Sequence, residues 1–121
     1  MKFKLIAATS MLSVLAGCNL TNYEPTPPNV TPENIEIARQ AFSEVPELKV
    51  SDDGYISYVA SLPSSGYKWQ TTTIKKISYE WSCDNLYSFL EMGFVTKIFF
   101  KGKGGREEYF DKARCDAEET N

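Results

Sequence analysis

Phe94-Val95-Thr96-Lys97-Ile98-Phe99-Phe100-Lys101, followed by Gly102-Lys103-Gly104-Gly105 and by Arg106 to Cys115, is the stretch that decides the fold. Phe94, Thr96, Ile98 and Phe100 occupy every second position, the spacing that turns one side of a strand toward a core. The glycine-rich tetrad reads as a flexible turn. Arg106 to Arg114 then returns as the partner strand, with Cys115 near its end. The acidic tail to Asn121 reads as frayed. The chain is therefore expected to close on a hairpin.

Upstream of that hairpin the period changes. Ile74, Ile77 and Trp81 recur at i, i+3 and i+7, a helical stripe. A second short helix starts at Ser82 or Asp84, shows Leu86, Phe89 and Leu90 on one face, and stops at Gly93. Cys83 falls at the junction of the two. Before them, Tyr67 to Thr73 alternates aromatic or threonine with polar residues and reads as a strand. Leu48-Lys49-Val50 and Tyr55 to Leu62 are two more strands, joined through Asp53-Gly54, a hairpin signal. Of the two faces of Tyr55–Leu62, the one with Ile56, Tyr58, Ala60 and Leu62 suits a core. A first helix begins with Thr31 as N-cap, Pro32 and Glu33. It carries the stripe Ile35, Ala38, Phe42 and Val45 and ends at Pro46. The order α-β-β-β-α-α-β-β places the chain in the α+β class. The expectation is an antiparallel sheet of about five strands with helices packed on one face.

The N-terminus carries an address. Lys2 and Lys4 precede an apolar run from Leu5 to Leu15, and Leu15-Ala16-Gly17-Cys18 has the layout of a bacterial lipoprotein signal. The run is too short to cross about 30 Å of hydrocarbon comfortably. Residues 1–17 are thus expected to be a signal peptide, with Cys18 becoming the first mature residue and its sulfur taking a diacylglycerol. Residues 18–30, with Pro25, Pro27 and Pro28, form a lipidated N-terminus and proline-rich tether. Residues 31–121 form one small periplasmic domain. Asn19, where an Asp would signal inner-membrane retention in enteric bacteria, points to the outer membrane, facing the periplasm. Loss of Lys2 and Lys4 moves the formal charge from −3 to about −5. An acidic chain of this kind argues against a nucleic-acid partner.

Three cysteines minus the lipidated one leave Cys83 and Cys115, and an oxidising compartment allows them one intramolecular pairing. A redox pair or half a metal site are the alternatives; the chain has no histidine and no C-x-x-C spacing, which weakens both. The missing histidine also removes His-based triads, an imidazole base and the usual zinc sites. Asp52/Asp53 and Glu107/Glu108 are adjacent, so on strands their carboxylates point to opposite faces. Gly102-x-Gly104-Gly105 lacks the Lys-Ser/Thr and the helix of a phosphate loop. Neither catalysis nor a cofactor or metal is expected. What remains is binding: aromatics are 13% of residues, more than so small a core can enclose. They either cap a thin core or line an apolar groove that accepts an amphipathic helix. Lys97, Lys101, Lys103 and Arg106 form a basic cluster that steers acidic partners or solubilises an edge strand.

Cys83, a short helix, Met92-Gly93-Phe94, a strand, a glycine-rich turn, a strand and Asp111-Lys112-Ala113-Arg114-Cys115 together resemble the β-type (AspS-like) pilotin lipoproteins of type II secretion. The resemblance covers most of the mature chain in element order and Cys83 to Cys115 in residues. It implies an escort that binds the C-terminal helix of a secretin subunit and travels with it, through the lipoprotein sorting machinery, to the outer membrane. Trp69, Ile74, Ile77 and Trp81 would line the groove, where sheet and helical layer meet. The rival reading is a periplasmic inhibitor or immunity lipoprotein that plugs a toxin or hydrolase with the loops Ser51–Gly54 or Pro63–Gly66.

Overall fold

A computed structural model describes residues 24–119. The expected signal peptide and the expected lipid site, Cys18, lie outside the described residues.

Helix α1 (Pro32–Ala41) starts where Thr31 caps it, its hydroxyl accepting from the Asn34 amide at 3.2 Å. Ile35 and Ala38 are buried beneath it, Phe42 packs beside them, and Val45 lies beyond the helix, 40% exposed. Strands β1 (Lys49–Val50) and β2 (Tyr55–Ser61) form the antiparallel hairpin expected at Asp53-Gly54. Arg39 ties α1 to that hairpin, donating to the Val50 carbonyl and pairing with Asp52 at 2.7 Å. Helix α2 (Thr71–Tyr79), a π-helical turn (Glu80–Asn85) and helix α3 (Tyr87–Glu91) then lead to strands β3 (Val95–Lys101) and β4 (Glu107–Phe110) and to helix α4 (Lys112–Glu119). Ile56, Ala60, Ile98, Phe100 and Phe110 are all buried on the sheet face the helices cover. Trp81 touches two of the three apolar clusters and joins them.

The class is α+β as expected, and the elements follow the expected order with three corrections. First, Tyr67–Thr73 is not a strand. Trp69 is bonded across the β3–β4 turn, its amide to the Lys103 carbonyl at 2.8 Å and its indole N–H to the Lys101 carbonyl at 2.9 Å. That crossing leaves Thr71 to start a helix. Second, the sheet has four strands in the order β1-β2-β3-β4 and is mixed, because β2 and β3 run parallel from Tyr55↔Val95 to Ser61↔Lys101. The whole α2–α3 segment is the crossover that a parallel pair requires. Third, the last strand stops at Phe110. Asp111 accepts from the Arg114 amide at 2.9 Å and caps α4, so the expected strand to Arg114 and frayed tail are a helix through Glu119.

Cys83 and Cys115 are disulfide-bonded with Cα atoms 5.6 Å apart, which clamps α4 to the π-helical turn. A buried ion cluster reinforces the clamp. Glu108 receives Arg106 at 2.5 Å and Arg114 at 3.1 Å, and Arg114 also pairs with Glu118 at 2.8 Å. The Glu108 and Arg114 side chains are 2% and 4% exposed. The end of the proline-rich stretch packs on the domain too. The Asn29 amide donates to the Gly93 carbonyl at 3.0 Å. Gly93 has φ +108°, and a Cβ there would fall 2.2 Å from the Asn29 carbonyl oxygen. Only glycine admits that crossing.

Candidate functional site

The structure gathers Trp69, Ile74, Ile77 and Trp81 into one cluster around Ala60, Ile98 and Phe100. Their roles differ. Ile74 is fully buried and belongs to the core, as are Ser78 and Ser82 on the same side of the helical segment. These small residues bring the helices close to the sheet: Ser78 donates to the Ile74 carbonyl at 2.7 Å, and the Ser82 and Thr96 hydroxyls meet at 2.7 Å. Trp69 lies edge-on to Phe100, ring centres 5.0 Å apart. Gly104 (φ +78°) passes against the Trp69 backbone, and a Cβ there would sit 2.8 Å from the Trp69 carbonyl oxygen. The glycine-rich turn is therefore fitted to Trp69 rather than merely pliant.

Ile77 and Trp81 are half-buried, which leaves part of each side chain at the surface. Trp81 stacks on Tyr58 of β2 with centres 5.4 Å apart and planes 27° apart. Tyr58 is the residue that the groove assignment left out; its alternation marked it as core-facing, which it is, though only half-buried. It stays partly open because β1 pairs only with Ile56 and Ser57 of β2. Beyond Ser57 no described strand flanks β2 on that side. There Tyr58, Val59, Pro46 and Glu47 border a hollow of about 280 Å³. The seam between the sheet and the segment formed by α2 and the π-helical turn thus surfaces at Ile77, Trp81 and Tyr58, an aromatic stack beside an unpaired strand edge.

A larger hollow, about 440 Å³, lies past the C-terminal end of β2, between Leu62, Ser64, Tyr67 and Lys103. Tyr67 is 58% exposed above it. Near the disulfide, Asp116 accepts from the Tyr87 hydroxyl at 2.7 Å and from Lys112 at 2.8 Å. The Lys112 bond, then the Tyr87 bond, hold the Asp116 carboxyl below its ordinary range, and the Asp116 bond pushes Tyr87 and Lys112 upward. Among the described residues, no three His, Cys, Asp or Glu side chains gather to hold a metal ion. In comparison with known proteins, the chain matches no family model, no curated protein and no solved structure.

Proposed function

We propose that the chain is a lipid-anchored binding module of the pilotin kind. In this reading Cys18 carries the diacylglycerol, and the lipid holds the domain at the periplasmic side of the outer membrane. The seam at Ile77, Trp81 and Tyr58 takes the C-terminal helix of a type II secretion secretin subunit. The observation that carries the reading is the half-exposed Tyr58–Trp81 stack at the place where β1 falls short of β2. A large aromatic with an open flank is the kind of anchor around which an apolar helix docks, its own contacts spaced at i, i+3/i+4 and i+7. The residues offered for the groove change accordingly. Ile74 supports it from within, Trp69 shapes its end, and Ile77 and Trp81 make the contact.

Calorimetric titration of the mature chain with a secretin C-terminal peptide tests this. A central tryptophan contributes about 2 kcal/mol or more to an interface, so Trp81→Ala should weaken binding about 30-fold while the far-ultraviolet dichroism stays native. A flat titration at high micromolar peptide would refute the reading. Loss of the fold in Trp81→Ala would reassign Trp81 to the core.

One observation favours the second reading, an inhibitor or immunity lipoprotein. Tyr67 stands exposed on the Pro63–Gly66 side of its hollow, where a plugging loop would need an aromatic. Under that reading Tyr67→Ala abolishes binding to a toxin or hydrolase, and Trp81→Ala leaves it unchanged.

A further inference from the structure

The sheet face turned away from the helices is covered at its Val95 end, where Thr26 and Pro27 lie alongside, and has no helix or strand over the rest among the described elements. On it Val59 and Phe99 are cross-strand neighbours, 53% and 40% exposed. One row away, Lys49, Ser57, Lys97 and Tyr109 are in register across all four strands. Lys101 sits opposite Ser61 in the row beyond. Lys97 lies over the Tyr109 ring at 5.9 Å. The acidic member of this face is Glu107, whose carboxylate accepts from the Tyr109 hydroxyl at 3.1 Å. The face is thus a pair of exposed apolar side chains set among three lysines, with Glu107 within it and Glu47 at its margin beside Val59, on a chain whose formal net charge is negative.

Protection of a sheet edge accounts for Lys49, on the outer strand β1, but not for the other two lysines. Lys97 and Lys101 stand on β3, an interior strand paired on both sides. Arg106, the fourth member of the basic cluster, is taken up by Glu108. The direction of the chain says what the face meets. Thr26 and Pro27 line a hollow at the end of the sheet with Gly93, Val95 and the start of α4 at Asp111–Ala113, and of these Val95 belongs by its register with Tyr55 to the open face. From there only a few residues separate Glu24 from Cys18. At about 3.1–3.5 Å per residue they reach roughly 20 Å, less than the roughly 30 Å breadth of a domain this size. One face of the domain is therefore always within reach of the headgroups, and the leash leaves from the Val95 end of the sheet, where the open face begins.

We infer that this face rests on an anionic phospholipid surface. Val59 and Phe99 meet the interface, Lys49, Lys97 and Lys101 meet the phosphates, and the Trp81 seam is left turned to the periplasm. The inference rests on the proposed anchor at Cys18. It does not depend on which partner the seam takes. Three lysines bind such a surface weakly on their own, and the lipid makes the contact intramolecular, so weak attraction suffices to set orientation.

Lysine footprinting on the acylated full-length mature chain tests it without altering the fold. The chain is reconstituted in vesicles of phosphatidylcholine alone or with about one-third phosphatidylglycerol, treated with an acetylating ester and read by mass spectrometry. Lys49 and Lys101 should react at least about threefold more slowly on the anionic vesicles, while Lys75 and Lys76 of α2 keep their rates. Molar salt, which shortens the screening length to about 3 Å, should erase the difference. Equal rates on the two vesicles, or equal slowing of Lys75 and Lys76, would overturn the inference. So would protection produced by poly-glutamate but not by phosphatidylglycerol, which would assign the face to an acidic protein. A chain that floats with neither vesicle refutes the anchor itself, and the orientation falls with it.

Discussion

Glu108→Gln is the sharpest test of how the C-terminal helix is held. The change keeps the shape of the side chain and removes a buried charge that two guanidinium groups share. Breaking a buried ion pair from one side costs about 3–5 kcal/mol when the other ion is left without a partner. Here Arg114 keeps Glu118 at 2.8 Å and the Tyr109 carbonyl at 2.6 Å, and Arg106 is partly solvated. The cost therefore falls to about 2–3 kcal/mol. With a urea slope of about 1–1.5 kcal/mol/M for a small domain, the midpoint should drop by about 2 M. Tryptophan fluorescence reports the transition, because Trp69 and Trp81 sit against the core. Glu108→Leu combined with Arg114→Met should recover most of the loss, since a well-packed apolar pair replaces a buried ion pair at little cost. A midpoint for Glu108→Gln within about 0.3 M of the parent would show that the cluster does not hold the helix, and the reasoning would fail.

Two further outcomes follow from the same region. Reducing the Cys83–Cys115 bridge, whose partners are 32 residues apart, should lower stability by about 3–4 kcal/mol in the chain-entropy account; a urea midpoint unmoved by reductant would contradict this. The Asp116 carboxyl should titrate below its ordinary 3.8, because Lys112 and then Tyr87 bond its charged form. A depressed carboxyl stabilises the fold above its unfolded pKa, and that stability is lost as pH falls through the folded value. Carbon-detected NMR from pH 2 to 5 should show Lys112→Met raising the Asp116 midpoint toward 3.8; no movement would exclude the contact.

Much of the fold was legible because local signals and tertiary structure agree. Thr31, Pro32 and Ile35 spell a helix start, Asp53-Gly54 spells a hairpin, and Gly93 marks a stop in the left-handed region. The cysteine pairing followed from the count and from an expected oxidising compartment. What misled was alternation without a partner. Tyr67 to Thr73 has the period of a strand, yet Trp69 spends its backbone and indole donors on the β3–β4 turn, a contact that no local pattern announces. The parallel pairing of β2 and β3 was encoded in plain view, since a helical segment between two strands implies a crossover. Asp111 was a cap signal that strand periodicity overrode. For the candidate site, the sequence named four residues that do come together, but alternation could not tell a sealed Ile74 from an open Trp81 or show that β1 would leave Tyr58 at an edge.

Whether the proposed partner helix binds, and where, is the central question, and amide shift mapping of the isotope-labelled mature chain with a secretin C-terminal peptide addresses it most directly. Saturating shifts should concentrate at Tyr58, Ile77 and Trp81 and their neighbours, with the Ser64–Tyr67 loop and the Lys97 row unmoved. Shifts confined to that loop or to the open sheet face, or none at saturating peptide, would contradict the proposed docking.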